Sequence, residues 1–146
     1  MIRTDKRLRV CRVLLVLILT FIWGNSLLPG EVSGALSDQV KALLETLLPG
    51  DSAGSSGSGL LRKAAHFTEF AALGMALGWL HGMLQKGRLR PIALGITAAC
   101  IDETIQCFVP GRGPGIRDVA IDSCGVLAGM ALLYLGHTYF EKRKRT

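Results

Sequence analysis

Residues 100–125 read CIDETIQCFVPGRGPGIRDVAIDSCG. The stretch holds the end of one apolar segment, a compact loop of glycine and proline, and the start of the next. Its polar residues gather where segment meets loop: Asp102, Glu103 and Gln106 before it, Arg112 within it, Arg117, Asp118 and Asp122 after it. Upstream, a further apolar segment carries His66 and Glu69 near its own start. These nine residues therefore sit at the same end of three apolar segments. A soluble core would scatter them, whereas charge held at one depth of apolar helices marks a membrane protein with a chemical site at one face.

Composition agrees: 49% of the 146 residues are apolar, and the mean hydropathy is +0.38. Four apolar segments, near residues 10–28, 64–84, 91–109 and 119–135, are each about 17 to 21 residues long, close to the ~20 a helix needs to cross ~30 Å of hydrocarbon. The backbone must satisfy its own hydrogen bonds in lipid, and the segments lack the alternation of a barrel. The expectation is an all-α integral membrane protein, one domain over residues 1–146, with four transmembrane helices in a compact bundle. A shorter helix over residues 35–48 joins it in the interface, since Leu36, Val40, Leu43, Leu44 and Leu47 recur at helical spacing and Ser37 is placed to cap it. DSAGSSGSG at 51–59 reads as a flexible tether. No internal repeat is present.

Lysine and arginine set the orientation. Arg3, Lys6, Arg7, Arg9, Arg12, Lys86, Arg88, Arg90, Lys142, Arg143, Lys144 and Arg145 fall on one side; Lys41, Arg62, Lys63, Arg112 and Arg117 fall on the other. Twelve against five puts both termini in the cytoplasm and the polar cluster outside. The net charge of +6 is mostly this signal; no aromatic interleaving or binding motif points to nucleic acid. A signal peptide over the first segment is the alternative, but no A-x-A site follows it and Trp23 suits an interfacial anchor. The four cysteines, Cys11, Cys100, Cys107 and Cys124, read as small apolar residues; their spacing requires no Cys107–Cys124 bridge and forms no zinc motif.

Helical phase gathers the cluster further. His66 and Glu69 form one stripe, with Arg62 a turn away; Asp102 and Gln106 share a face, with Gly95 deeper along it; Asp118, Asp122, Gly125, Gly129 and Gly136 fall on a line. The pairs Gly74/Gly78 and Gly125/Gly129 permit close helix approach. At 1.5 Å per residue, His66 lies about 3 Å in, Asp122 about 5, Glu69 about 8 and Asp102 about 10. Five carboxylates (Glu69, Asp102, Glu103, Asp118, Asp122) then meet Arg62, Lys63, Arg112, Arg117 and a histidine, a near-neutral set that low dielectric tolerates when its members pair. Thr68 and Thr104 are expected to bond their own helices, and His81 to be packed or snorkelling.

LLRKAAHFTEF, the 100–125 stretch and the earlier FIWGNSLLPG resemble the VanZ-like membrane protein family, in order and at similar spacing over nearly the whole chain. Its pattern is met by Lys63, His66, Glu69, Asp102, Glu103, Gln106, Arg112, Asp118 and Asp122. Phe70 departs from it, standing where the family often has tyrosine. The resemblance implies a connection with glycopeptide antibiotics, above all teicoplanin, and supplies no reaction. Three readings stay open. In the first, a membrane-embedded protein binds or modifies an anionic or lipid-linked envelope molecule. Arg112 and Arg117 clamp the anion, Lys63, Glu69, Gln106, Asp118 and Asp122 line the site, and Glu103 or Asp102 serves as acid or base with His66 as proton partner, should any reaction occur. No nucleophile stands out, since Ser123 lacks an elbow motif. The cofactor stays unknown; carboxylates with one histidine suit magnesium or calcium better than zinc, and nothing in the spacing demands a metal. The second reading is a small proton-coupled transporter, and the third a scaffold whose cluster is an ion-pair network.

Overall fold

A computed structural model describes residues 2–47, 57–85, 87 and 89–143, which form five α-helices joined by turns and a loop, with no strand among them. They are α1 (Ile2–Ser26), α2 (Gly30–Leu47), α3 (Gly57–Met83), α4 (Leu89–Gln106) and α5 (Ile116–Arg143). The 51–59 tether lies outside the described residues up to position 56, as do Lys86, Arg88, Lys144 and Arg145 of the basic flanks. The last three tether residues already belong to α3. Each of the four long helices starts before its apolar segment, because hydropathy marks only the apolar part whereas a helix continues through polar residues. α5 also runs past 135 to Arg143, while α1, α3 and α4 stop at Ser26, Met83 and Gln106, short of the expected 28, 84 and 109, where the chain turns. Gln85 makes that turn after α3 in the left-handed region (φ 51°).

α2 begins five residues before its expected start. Ser37 does not cap it; the hydroxyl lies mid-helix and donates to the Ser33 carbonyl at 2.9 Å. Thr68 and Thr104 bond back to Ala64 and Cys100, both at 2.7 Å, as their positions in long helices require. His81 is buried, with Nδ1 3.0 Å from the Leu77 carbonyl. All four cysteines are free; Cys107 and Cys124 are exposed.

α3 is the hub, packing against all four other helices and most extensively against α5. That seam is close because a Cβ at Gly74 would strike the Val126 carbonyl, and one at Gly129 the Ala71 carbonyl. Gly125 lies against Phe67 and Phe70 in the same way, while Gly136 has nothing within 4 Å, so the glycine line ends there. Val126, fully buried, also fills the space left by Gly95 of α4 and locks three helices together. Around it lie Ile22, Phe70, Leu73, Ala76, Leu77, Ala98 and Ala99. Trp23 packs half-buried against this core.

Apolar side chains are abundant on the outside, and several polar ones are enclosed. Val13, Val16, Leu17 and Phe21 of α1 and Leu132, Leu135 and Phe140 of α5 are exposed, whereas Ser26, Asp102 and Asp122 are almost wholly enclosed. Among the described residues two helices are long and apolar enough to cross a membrane, Asp5–Ser26 and Ile116–Arg143, and only 17% and 22% of their most apolar stretches are buried. α3 and α4 fall short of that standard, and they carry His66, Glu69, Asp102 and Glu103.

Candidate functional site

The ends of α1, α4 and the loop 107–115 meet the starts of α2, α3 and α5. Loop and turn are fastened first. Gly111 takes the left-handed conformation (φ 72°) that favours glycine, and a Cβ on Gly30 would collide with the Gly111 carbonyl. The Gly30 N–H donates to the Pro110 carbonyl at 3.0 Å. Arg112 then reaches across: Nε donates to the Leu28 carbonyl at 3.0 Å and Nη2 to the Asn25 carbonyl at 2.8 Å. The last carbonyls of a helix have no partner within it, and here a guanidinium supplies one. Burial, and after it the charge of Arg62, pushes the Arg112 guanidinium below its ordinary pKa; Asp102, Glu103 and Glu69 oppose the shift.

Arg112 is therefore a strut. The edge of its guanidinium expected to grip an anion is taken by α1, which leaves Nη1, buried and without a hydrogen-bond partner. Arg117 is exposed and lines neither cavity described below. Glu103 is likewise engaged: Oε2 accepts the Gly115 N–H at 2.9 Å, tying α4 to the residue that precedes α5. Lys63 stands 3.7 Å from Asp118 in a partly exposed pair.

Deeper, α3, α4 and α5 each bring one group to a common point. His66 Nδ1 lies 3.7 Å from Asp102 Oδ2 and 3.9 Å from Asp122 Oδ1. Gln106 donates to the same Asp102 oxygen at 2.9 Å and reaches Ser26 Oγ at 3.4 Å. Glu69 stands to one side, accepting from Asn25 Nδ2 at 3.1 Å. Of the residues picked out by phase and depth, His66, Asp102, Gln106 and Asp122 come into one group, while Glu69, Glu103, Arg112 and Asp118 ring it in separate contacts.

Two cavities open on this region. A small recess is lined by Arg62, Lys63, His66, Glu103, Gln106, Asp118, Ile121 and Asp122, with about 10 Å³ free to the centre of a water-sized sphere, near the least that holds one water. The other is a groove of about 770 Å³ between α1, α2 and α3. Its walls are largely apolar, from Phe21, Leu28, Leu36, Val40, Leu61 and Ala65, and it ends on Arg62, His66 and Glu69.

Sequence reasoning missed Asn25, Ser26 and the role of Arg62. Asn25 and Ser26 form a polar pair at the end of α1, the same end that carries the cluster on the other helices, and that shared position was the available signal.

An all-helical protein with enclosed carboxylates at one end and apolar side chains outside is the class that fold and site define. A family model described as VanZ/LLP1 matches residues 12–137. The chain belongs to the VanZ-like family, and membership fits an envelope protein related to teicoplanin resistance. No curated protein and no solved structure matches the chain.

Proposed function

We propose that this chain is a single membrane domain crossing the bilayer four times, through α1, α3, α4 and α5. Both termini are cytoplasmic, and α2 lies in the outer interface. The polar end binds, or acts on, an anionic or lipid-linked envelope molecule from the outer leaflet. One observation carries the reading: the apolar groove and the polar recess share Arg62 and His66. A ligand with an acyl chain and a charged head group has that same division. The groove falls within the ~300–1,000 Å³ usual for small-molecule sites, and Arg62, unlike Arg112, has its place at the junction of the two cavities.

The apolar exterior supports membrane embedding, since contiguous exposed apolar surface of this extent is foreign to soluble monomers. The twelve-to-five basic bias supports the orientation. Single cysteines at Gln39 and Thr146, in a chain otherwise free of cysteine, test it: an impermeant thiol reagent on intact cells should label Gln39→Cys alone, and labelling of Thr146→Cys alone inverts the topology. A transporter is supported less, because Leu73, Ala76 and Leu77 separate His66 and Glu69 from His81 by an apolar core. The scaffold reading draws support from Arg112 and Glu103, which both hold backbone.

Resistance provides the functional test. Overproduced in a susceptible Gram-positive host, the chain should protect against teicoplanin more than vancomycin, because teicoplanin carries an acyl chain that anchors in the outer leaflet and vancomycin does not. Arg62→Ala, at equal membrane abundance, should abolish the difference. Equal protection against both drugs would point to the target they share, and no protection would detach the chain from the resistance role.

A further inference from the structure

Asp122 is 1% exposed and Asp102 fully enclosed, yet neither Asp122 oxygen accepts a hydrogen bond, nor does Asp102 Oδ1. A buried carboxylate without partners is costly, by several kcal/mol for an ion in low dielectric. Histidine is the nearest cation-forming group, but at 3.7 and 3.9 Å it stands beyond hydrogen-bond range of both acids. Three ligand atoms from His66, Asp102 and Asp122 nonetheless converge within 4.8 Å of one another.

That spacing suits a shared cation. A tetrahedral centre with legs of about 2.0–2.1 Å has edges of roughly 3.3–3.4 Å, so the two histidine–carboxylate edges of 3.7 and 3.9 Å would close by roughly 0.3–0.6 Å, and the carboxylate–carboxylate edge, within 4.8 Å, by at most about 1.5 Å, to bring the three atoms onto one ion. Two carboxylates with a neutral imidazole carry two negative charges, which a dication balances. We propose that His66 Nδ1, Asp102 Oδ2 and Asp122 Oδ1 form a binding site for a divalent first-row cation, zinc or manganese. The identity follows from the donors. Five carboxylates together would suit magnesium or calcium, but only two reach this point and the third donor is a nitrogen, which favours a transition metal. Gln106 already holds Asp102 Oδ2, the kind of outer contact that orients a metal-bound carboxylate. His66 and Asp122 also line the small recess, so a fourth position is open from that side to water or to an anionic oxygen drawn in by Arg62 and Lys63.

The site stands apart from the ligand proposed above, because it is read with the bare cation and no envelope molecule. Full-length chain in lipid nanodiscs, stripped with chelator and dialysed against zinc or manganese chloride, should retain about one ion per chain by elemental mass spectrometry. Bound manganese should show nitrogen-14 coupling from His66 in pulsed electron paramagnetic resonance, which a purely acidic surface site does not give. Asp122→Asn, nearly isosteric and checked for unchanged helicity by circular dichroism, should weaken binding more than 100-fold, and Gln106→Ala by roughly 10- to 100-fold. His66→Gln should remove the nitrogen signal. Sub-stoichiometric uptake by the parent protein, or equal uptake by Asp122→Asn, would overturn the site. Full glycopeptide protection without metal uptake would remove this site and leave the ligand reading intact.

Discussion

α3 has two unlike flanks. Toward α5 it presents Gly74 to a seam where backbone meets backbone; toward α1 and α2 it presents Leu61, Ala65 and Glu69 to a groove of about 770 Å³. The closed flank holds the acids of α5 at fixed distance from His66, and the open flank offers volume. Rigidity and capacity are thus assigned to opposite faces of a single helix, and His66 stands where they meet.

The largest effect should come from breaking the seam. Gly129→Val would drive side-chain carbon into the Ala71 carbonyl, which has no rotamer with which to yield, at a cost of about 3 kcal/mol. Gly136→Val, with nothing within 4 Å, should stay within about 0.5 kcal/mol. Thermal unfolding in detergent compares the two; equal losses would mean that the seam is no tighter than the helix end.

Next in size is the strut between the halves of the site. Arg112→Ala leaves the Asn25 and Leu28 carbonyls without their charged donor and should cost about 1.5–3 kcal/mol. Arg112→Lys should recover less than half of that, since a single ammonium does not reproduce the fork. Full rescue by lysine in the same unfolding assay would show that charge alone matters there.

Filling the open flank should spare stability and spoil capacity. Gly24 lines the groove, and a Cβ there meets nothing within 4 Å. Gly24→Leu should shift unfolding by less than about 1 kcal/mol while weakening uptake of a fluorescent acyl-chain probe about tenfold, equivalent to ~1.4 kcal/mol. Unchanged uptake would place the probe elsewhere. Smallest of all should be Lys63→Ala. Its 3.7 Å pair with Asp118 is partly exposed, so its removal should cost no more than about 1 kcal/mol, and less in high salt.

The same contrast explains what was legible in the sequence. Helical phase is a property of one segment, so the Asp102 and Gln106 face, the His66 stripe and the glycine line from Gly125 to Gly129 could be read without knowing their neighbours. Depth added that His66, Asp102 and Asp122 reach a similar level. Partner choice is a property of two segments. Nothing local tells Arg112 from Arg117, yet one is built into the end of α1 and the other is exposed. The groove was invisible for a similar reason: it is bounded by α2, whose apolar positions announced an amphipathic helix but not the wall it would complete. Phe70, fully buried in the core, needs no hydroxyl there.

The contact between Arg112 and the end of α1 also bears on how the chain is made. The guanidinium and the carbonyls it caps are 84 and 87 residues apart, so a ribosome adding ~5–20 residues per second emits them about 4–17 s apart. During that interval α1 has left synthesis with its terminal carbonyls uncapped by arginine, and the turn at Gly30 has no Pro110 to receive it. The site is thereby a late event in biogenesis, closed by the last loop to be translated. A nascent chain released before Arg112 would carry its early helices but lack that closure.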